Sequence, residues 1–474
     1  MEADIQIPEF KGWDEETDVI VIGGGLAGHC AALQAAQGGA NVLLFEKESS
    51  VGGSTVLSGG SFAFAGTDLQ KKNGVNDTSE RLFDDLRRVG GYVNEEAIVR
   101  TYVDYQLETY YWLANQGVIF EKLFLAAGQT VPRSHSHNPS EVIKILASRA
   151  SLSGHIKTRV NSPVKRLIRQ YQQGQVEGVL ALVSGRWCAI KAYKGTVLTS
   201  GGFSRNEHLM KLFAPSQTQT QRAGGPGNTG DGLSMAWYLG AGMRDMGYIK
   251  GTFGGYPGAS PGEHAIMLPI YVGAIAVNLK GERFIDESKS YKLIGDAVLQ
   301  QPESIGFQIF DQKIYDKGQP DIPTMAFQAK YALGQVISAN SIGDLAKKIN
   351  VDVEGLKRTV AIYNASVESG QDKLFGRDGL STHYGALAKI DQAPFYAYPS
   401  KSVVVATYCG IAVNTSMNVC DVFGNAIPNL YAAGEVIGGL HGHAYMTGSS
   451  LGKASIFGRL AAKIALIRTS SSIL

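Results

Sequence analysis

The stretch from Thr17 to Gly66 constrains the fold more than any other part of the chain. It begins with an apolar run, Asp18–Ile22, which is typical of a buried strand. A glycine turn, an alanine-rich helix at about residues 27–38 and a second apolar strand at residues 41–45 follow. The turn at residues 23–28 reads GGGLAG and matches the spacing G-x-G-x-x-G. Between a strand and a helix, this spacing predicts a dinucleotide-binding unit with a parallel sheet.

Each glycine of the turn has a separate physical role. Gly23 permits the tight turn, Gly25 lets a pyrophosphate approach the backbone, and Gly28 lets the helix pack on the strand. Leu26 and Ala27 open the helix, whose unpaired N–H groups and partial positive charge favour phosphate.

A second glycine-rich segment, residues 51–60 with the sequence VGGSTVLSGG, follows the acidic residue Glu46. Glu46 ends the second strand, where a carboxylate can accept hydrogen bonds from a ribose. Small residues and hydroxyls allow the backbone to approach a large planar ligand. The segment resembles the flavoprotein family of fumarate reductases, succinate dehydrogenases and 3-ketosteroid dehydrogenases, in which FAD lies along it. Because the segment lacks the histidine that succinate dehydrogenases use for covalent attachment, we expect noncovalent FAD.

The resemblance covers residues 15–468 and implies an α/β fold. It predicts a Rossmann-like FAD-binding domain of the glutathione-reductase type with an inserted α+β cap or substrate domain. Phosphate-cradling glycine clusters stop near Met243 and the nucleotide-binding pattern resumes after Pro394. We therefore expect residues 1–243 plus 395–474 to form the FAD-binding domain and residues 244–394 to form the cap.

The motifs and the resemblance together predict a set of cofactor-binding residues, most of them small or hydroxylated. These are Gly23, Gly25, Leu26, Ala27, Gly28, Glu46, Lys47, Gly53, Ser54, Thr55, Ser58, Gly59, Gly60, Val164, Ser200, Gly201, Asn206, Asp231, Gly434, Glu435, Ser449, Ser450 and Leu451. Asp231 can alternatively serve only as a helix cap. The N-terminus of the last helix, at about residues 450–468, is expected to face the flavin edge where reduction leaves negative charge.

Composition excludes several other classes of partner. The net charge is +2 and no basic block is present, which argues against nucleic acid or an anionic membrane as a partner. The four widely spaced cysteines suit a reducing compartment and argue against a zinc or iron–sulfur site. The first residues are acidic and polar, and no apolar run has the length of a membrane span. We therefore expect a cytoplasmic protein that passes electrons to a diffusible acceptor or to O2.

The substrate-binding positions depart from the fumarate reductase pattern. In that family, arginines and histidines hold a dicarboxylate and one arginine delivers a proton. The matching positions here are Tyr256, Tyr291 after the R-F-x-N-E-like run at residues 283–287, and Tyr445, while His441 is kept. Desolvating two carboxylates without those cations would be very unfavourable, so fumarate reduction is disfavoured.

Tyrosines at these places resemble those of the 3-ketosteroid dehydrogenases. The run AYMTGSSLG at residues 444–452 is most similar to the subgroup that introduces a 4,5 double bond. The resemblance implies that Tyr291 takes an α-proton, that the Tyr445 hydroxyl and the Gly448 N–H bind the ketone oxygen, and that flavin N5 takes the β-hydride. A phenolate needs nearby donors or positive charge, because the reference pKa of tyrosine is about 10. Lys289 and Lys292 are close to Tyr291 in the sequence.

The sequence thus predicts an FAD-dependent dehydrogenase that desaturates a cyclic ketone, either a 3-ketosteroid or a small ring ketone. His441, if it keeps a carboxylate-binding role, would favour a ketone that bears an acid, such as 4-oxocyclohexanecarboxylate. One alternative is an ene reductase that acts on an unsaturated acid or ketone and uses Tyr291 as proton donor. An alternative of another class is a flavin-binding module without turnover.

Several polar and aromatic residues keep two interpretations. Arg133 and His135 either contact the flavin or an anionic substrate group, or lie in a solvated loop. Tyr256 is either a substrate contact or only an aromatic wall. His441 is either a substrate contact or a core histidine satisfied by the backbone.

Overall fold

A computed structural model describes residues 7–171, 174–249, 251–259, 266–320, 322–380 and 385–468. The first nine strands are β1 (Glu15–Ile22), β2 (Val42–Phe45), β3 (Ser61–Ala63), β4 (Lys122–Phe124), β5 (Ser134–Ser136), β6 (Ile156–Arg159), β7 (Val164–Ile168), β8 (Gly178–Val183) and β9 (Arg186–Leu198). The remaining strands are β10 (Gln221–Arg222), β11 (Met243–Arg244), β12 (Thr252–Gly255), β13 (Ile275–Val277), β14 (Gly306–Asp311), β15 (Ile337–Ala339), β16 (Phe395–Val404), β17 (Gly410–Ile411), β18 (Asn418–Cys420) and β19 (Ala426–Ala432).

The helices follow the same chain order. They are α1 (Leu26–Gln37), α2 (Asp68–Lys72), α3 (Ser79–Val89), α4 (Glu96–Gln116), α5 (Pro139–Leu152), α6 (Glu207–Phe213), α7 (Asp231–Tyr238), α8 (Tyr291–Leu299), α9 (Gln312–Tyr315), α10 (Phe327–Ala332), α11 (Ile342–Lys348), α12 (Val353–Ser369) and α13 (Ser449–Arg468). Local chemistry sets several of the ends. The Asn138 side chain, for example, accepts hydrogen bonds from two N–H groups of the first turn of α5. Gly370, with φ +69°, ends α12 in the left-handed region.

The first sheet contains the predicted strand–turn–helix–strand unit. Its strand order is β18-β19-β9-β1-β2-β6, with β8 pairing both β7 and β9. Strand β1 lies parallel to β2 on one side and to β9 on the other, with Val19 opposite Val42. The second half of β1, residues 19–22, and all of β2 are buried apolar runs, as expected for parallel strands covered on both faces, whereas β1 begins with four polar residues. Helix α1 packs against α13, so the two ends of the chain share one core.

A second sheet of six strands forms a separate core with α8, α11 and α12. Strand β16 pairs with β14 through Phe395–Ser400 and then with β12 and β10. The predicted boundary at residues 394/395 assigned this strand to the FAD-binding domain, whereas all its partners belong to the second sheet, and one of them, β10, comes from residues predicted to be in the FAD-binding domain. The strand is long enough to cross between the two parts of the chain, which apolar periodicity alone does not reveal. The division into two domains stays a prediction.

Two small sheets complete the fold. Strands β3, β5 and β4 form one of them, and β11 pairs with β17 in the other. Within the ranges that the structure describes, no helix is both long enough and apolar enough to cross a membrane.

Candidate active site

A cavity of about 820 Å³ runs from the glycine turn of the first sheet to residues of the second sheet. Its volume lies in the usual range of about 300–1,000 Å³ for ligand and cofactor sites. One end is lined by the carboxyl ends of β1, β2 and β9, and the other by tyrosines and apolar side chains. The carboxyl edge of a parallel sheet is where such folds bind their ligands.

The glycine turn has the close packing that its spacing predicts. A Cβ on Gly23, which has φ +113°, would lie 2.4 Å from the Thr199 carbonyl oxygen, and one on Gly28 would lie 1.9 Å from the Gly23 carbonyl oxygen. At Gly25, by contrast, the closest atom to an added Cβ is Thr55 Oγ1 at 3.8 Å. Gly28 is therefore needed for packing, whereas a side chain on Gly25 would project into the open cradle where a phosphate group is expected.

Glu46 lines the cavity but already has backbone partners. One carboxylate oxygen accepts a hydrogen bond from the Gly24 N–H at 2.9 Å, and the other accepts one from the Glu48 N–H at 2.9 Å. These bonds fix the carboxylate beside the turn and leave its remaining lone pairs available. Its predicted contact with a ribose stays a prediction.

Most of the predicted cofactor-binding residues line this one cavity. They are Gly23, Gly25, Leu26, Ala27, Glu46, Lys47, Gly53, Ser54, Thr55, Ser58, Gly59, Gly60, Val164, Ser200, Gly201, Asp231, Gly434, Glu435, Ser450 and Leu451. Asn206, Ser449 and Gly28 are not part of the lining. Asn206 instead caps α6 by accepting from the Leu209 N–H, and Ser449 donates to the Met446 carbonyl.

In the half of the cavity that contains the glycine turn, several polar side chains already make hydrogen bonds or ion pairs within the protein. Lys47 and Asp231 form an ion pair at 2.9 Å, and Lys47 also bonds to Thr229. The half-buried Glu435 carboxylate accepts from the Thr407 N–H at 3.1 Å and from Asn228. Burial raises the pKa of Glu435 above its usual value.

Two hydroxyls in the same lining are buried without a protein partner. Ser61 Oγ and Ser200 Oγ make no hydrogen bond within the described parts of the chain, although both residues face the cavity. Buried hydroxyls normally find partners, so these two indicate a polar ligand. Together with the open cradle at Gly25, they fit the dinucleotide and ribityl chain of FAD.

The opposite end of the cavity is formed by four tyrosines and one histidine, which we call the tyrosine cluster. Its members are Tyr271, Tyr291, Tyr408, Tyr445 and His441. Ring centroids are 6.3 Å apart for Tyr291 and Tyr445, 4.9 Å for Tyr408 and Tyr445, and 5.5 Å for His441 and Tyr445. Tyr445 therefore lies at the centre, in contact with three of the others.

Every member of the tyrosine cluster is uncharged near neutral pH. Burial raises the pKa of Tyr271, Tyr291 and Tyr408 well above the usual value. Burial also raises the pKa of Tyr445, although the Gly448 N–H partly offsets the rise. The pKa of His441 lies well below its usual value because of burial and the nearby Lys453 and Lys292.

Tyr445 and Gly448 are bonded to each other. The Gly448 N–H donates to the Tyr445 hydroxyl oxygen at 3.0 Å, and Gly448 is not part of the cavity lining. The predicted pair of parallel donors is therefore not what this structure presents. Here Gly448 orients Tyr445, whose own hydroxyl hydrogen remains available to an acceptor in the cavity.

Tyr291 is the first residue of α8 and sits beside a buried lysine. Ser290 caps the helix by accepting from the Lys292 N–H. The Lys292 amino group donates to Thr252 Oγ1 at 2.7 Å and lies 4.5 Å from the ring centroid of Tyr408 and 5.8 Å from that of Tyr291. Burial lowers the pKa of Lys292 to about 7. Of the two lysines near Tyr291 in the sequence, Lys292 is the one that points inward.

His441 also has an open hydrogen-bonding atom. Its Nδ1 lies 3.4 Å from Ser449 Oγ, whereas its buried Nε2 has no partner among the described residues. The interpretation of His441 as a core histidine satisfied by the backbone is therefore wrong. Its imidazole can bind one polar atom in the cavity.

Both interpretations of Arg133 and His135 are wrong, because neither residue lines the cavity or lies in a solvated loop. Arg133 is fully buried and forms ion pairs with Asp77 at 2.7 Å and Asp85 at 2.6 Å. His135 is buried and bonds to Thr67 Oγ1 at 2.7 Å. A polar, turn-rich sequence looks like a loop, but its charged group is satisfied by acids distant in the sequence.

Tyr256 lies outside the cavity lining and packs 5.9 Å from the ring of Tyr398. This placement agrees with an aromatic wall and not with a substrate contact. The run at residues 283–287 is likewise structural, since Arg283 and Glu287 form a buried ion pair at 2.6 Å before α8 begins.

Sequence reasoning did not identify several residues of this site, Ser61 among them. Tyr271 and Tyr408 belong to the tyrosine cluster, and Lys453 lines the cavity from α13. Tyr408 has φ +58°, an uncommon backbone conformation for a bulky residue. Tyr271 and Tyr408 lie in short connecting segments without a periodic signal, and the helical pattern of α13 does not distinguish Lys453, so only their spatial grouping reveals these residues.

The family described as FAD binding domain matches residues 18–451. A probable fumarate reductase of Shewanella frigidimarina (strain NCIMB 400) is 31% identical over 465 residues, which cover 96% of this chain and 76% of the relative.

Solved structures show the same fold. The open conformation of a flavocytochrome c3 fumarate reductase matches with a TM-score of 0.80 at 30% identity, covering 96% of this chain and 79% of that one. The 3-ketosteroid-Δ4-(5α)-dehydrogenase of Rhodococcus jostii RHA1 matches with a TM-score of 0.77 at 24% identity, covering 96% and 98% of the two chains.

Proposed function

The chain belongs to the FAD-binding-domain family of flavoproteins, and from this premise we propose that it introduces an α,β double bond into a cyclic ketone. The predicted fold class and the FAD cofactor are confirmed by the family match and the shared fold. The chain is an FAD-dependent oxidoreductase that acts on carbon–carbon bonds. The choice of substrate and the direction of reaction are our proposal.

The observation that carries the proposal is the uncharged tyrosine cluster. None of the five side chains of the tyrosine cluster supplies a cation to a dicarboxylate. The desolvation of its two carboxylates would have to be offset by the nearby Lys292 and Lys453, each of which already donates to a protein oxygen. A ketone oxygen needs only one or two hydrogen-bond donors, which neutral phenols supply. Apolar neighbours, among them Leu268, Ile322 and Met325, supply a wall for a hydrocarbon ring.

Desaturation removes a proton from the α-carbon and a hydride from the β-carbon. The α-proton becomes acidic only if the carbonyl oxygen is stabilised as it gains enolate character. In our proposal the Tyr445 hydroxyl donates to that oxygen, with Gly448 holding the hydroxyl in place. One such donor contributes on the order of 3 kcal/mol to the transition state. Tyr291 accepts the α-proton as a phenolate, after it has passed its own proton to the neighbouring Lys292 amine, whose pKa is lowered to about 7. Bound FAD supplies the acceptor for the hydride.

The neutral His441 affects which substituents the ring of the substrate can carry. A neutral imidazole can exchange one hydrogen bond with an oxygen but does not neutralise a carboxylate. This favours a ketone with a second uncharged oxygen over one that bears an acid. His441 by itself therefore favours a 3-ketosteroid, whereas the cavity-lining Lys453 offers a cation to 4-oxocyclohexanecarboxylate, and both ketones stay within the proposal.

A second candidate is an ene reductase that runs the same path backwards. The raised pKa of Tyr291 favours it, because a buried neutral phenol is suited to donating a proton. The relatedness to a probable fumarate reductase also favours it. In this reading the substrate is a conjugated ketone and not a dicarboxylate.

An anaerobic mixing experiment distinguishes the candidates. A panel of saturated 3-ketosteroids and oxocyclohexane acids is added to the oxidised holoenzyme while the flavin absorbance is recorded. A dehydrogenase bleaches the flavin band with a saturated ketone alone. An ene reductase leaves that band unchanged, but its reduced flavin is reoxidised by the matching enone. A spectrum that no ketone or enone perturbs would indicate a flavin-binding module and contradict both enzymatic proposals.

A further inference from the structure

Lys453 is a buried lysine that the proposed reaction does not use. It lies one turn into α13, and its neighbours Leu451 and Ala454 line the cavity together with it. Only 1% of its surface is exposed. An isolated buried ammonium group is costly, so its charge must be balanced by something in or beside the cavity.

The described part of the protein provides a hydrogen-bond acceptor for only one of the three N–H donors of this amino group. Lys453 Nζ donates to the Ile437 carbonyl oxygen at 2.8 Å, and this is its one hydrogen-bond acceptor in the part of the chain that the structure describes. A lysine ammonium has three donors. Because the side chain lines the cavity, the remaining donors are available to a ligand there.

Neighbouring acids do not neutralise Lys453 by direct contact. The titratable groups that face it from neighbouring elements are Asp245, Cys409, Glu435 and His441. Among the described residues, no carboxylate forms an ion pair with it within 4.0 Å. The Glu435 carboxylate accepts from the Thr407 N–H instead, and Asp245 accepts from the Gly439 N–H at 2.8 Å.

We propose that Lys453 donates to the bound FAD and raises the reduction potential of the flavin. Reduction adds negative charge to the ring system, and a nearby ammonium in a site of low dielectric stabilises that charge. The N-terminal end of α13 acts in the same direction through its helix dipole. A higher potential makes the oxidised flavin a better hydride acceptor. The inference depends on FAD binding but not on which carbonyl compound is the substrate.

The test compares K453M with the wild-type holoenzyme and with K463M, which removes an exposed lysine of the same helix. The midpoint potential of bound FAD is measured anaerobically against a reference dye, without substrate. We expect K453M to shift the potential to a more negative value and K463M to leave it unchanged. Sulfite, which adds a negative charge to the oxidised ring, should bind K453M at least tenfold more weakly than wild type.

The pH dependence supplies a second arm that does not need K453M to fold. Burial lowers the pKa of Lys453 to about 8, so the wild-type charge is present at pH 7 and is lost as the pH rises above 8. Arginine stays protonated throughout. As the pH rises from 7 to 9.5, the midpoint potential of FAD in wild type should therefore fall more steeply than in K453R and end below it.

Two results would overturn the inference. One is a K453M holoenzyme with the wild-type midpoint potential and the wild-type affinity for sulfite. Lys453 would then have only a structural role, as the donor that connects α13 to the Ile437 carbonyl. The other is a wild-type potential that runs parallel to that of K453R across the whole pH range. If K453M loses FAD, the comparison with K453R decides alone.

Discussion

Tyr291 is a phenol whose surroundings oppose its ionisation. Burial raises its pKa well above the usual value, although a hydrogen bond with Thr447 partly offsets the rise. The buried Lys292, near the rings of Tyr291 and Tyr408, supplies positive charge in the same region. Tyr291 is therefore a proton donor in the free enzyme, and its service as a base depends on proton loss when the ketone is bound.

Replacing Tyr291 by phenylalanine should remove proton transfer while keeping the ring packing. We expect turnover in the Y291F enzyme to fall by roughly 10²–10⁴-fold, the usual contribution of a general acid or base. Flavin absorbance and ketone affinity should change little. The measurement is steady-state turnover with an artificial electron acceptor.

Y256F is the matched control, because Tyr256 lies outside the cavity lining and packs on Tyr398. It should turn over at the wild-type rate. Full activity in Y291F would remove the proposed proton-transfer role of this residue.

At the scale of elements, the buried Arg133 immediately precedes β5 and connects that strand to α3. One of its acidic partners, Asp77, lies just before the helix, and the other, Asp85, lies within it. The Arg133 guanidinium pairs with Asp77 and Asp85, and Gln70 of α2 also donates to Asp77 at 2.9 Å. Charges of this kind are costly to bury and even more costly to leave unpaired. The network therefore fixes the packing of these elements beside the cavity without contributing to its lining.

An R133M variant should be destabilised by about 3–5 kcal/mol, because two buried carboxylates would lose their shared partner. Urea unfolding of the holoenzyme measures this loss. R100M is the control, since Arg100 forms an exposed ion pair with Glu80 and its removal should leave the unfolding midpoint unchanged. An R133M protein as stable as wild type would show that the network is not structural.

Element prediction from sequence succeeded where a period or a cap was present. The apolar run of β1 and the glycine turn that leads into α1 follow from local patterns. The boundary predicted at residues 394/395 stays a prediction, since β16 joins β14 and β15 to β12 and β10 within one sheet. The glycine turn and the second glycine segment were also sufficient to indicate the cofactor half of the cavity.

At the scale of the whole molecule, the substrate half of the cavity is assembled from distant segments. Tyr271, Tyr291, Tyr408 and Tyr445 are contributed by four separate parts of the chain. The resemblance to a known motif identified two of them, and no local pattern identifies the other two. No local pattern identifies the ion pairs of Arg133 either, because its acidic partners are about fifty residues away in the sequence.

The stability of the whole molecule should fall on mild acidification because of three buried histidines. Burial lowers the pKa of His29 and His441, and it lowers that of His135 to about 4. Since unfolded histidine has a pKa of about 6.5, the unfolded state binds more protons below that pH. Each histidine then reduces the free energy of unfolding by up to about 1.4 kcal/mol per pH unit between pH 6.5 and its folded pKa.

Unfolding free energies measured from pH 7.5 to 4.5 test this expectation. A H135Q variant should show a shallower slope below pH 6.5 than wild type, whatever its absolute stability. A H208Q variant, at an exposed histidine, should keep the wild-type slope. Equal slopes in H135Q and wild type would contradict the assignment of a neutral buried His135.

The most direct test of the whole account is a pair of dissociation constants for the oxidised holoenzyme, one for a saturated cyclic ketone and one for succinate. Both are obtained from perturbation of the flavin spectrum in wild type and in Y445F. We predict that the ketone binds, that Y445F weakens its binding at least tenfold, and that succinate binds neither protein measurably. Tighter binding of succinate than of any ketone, with no effect of Y445F, would contradict it.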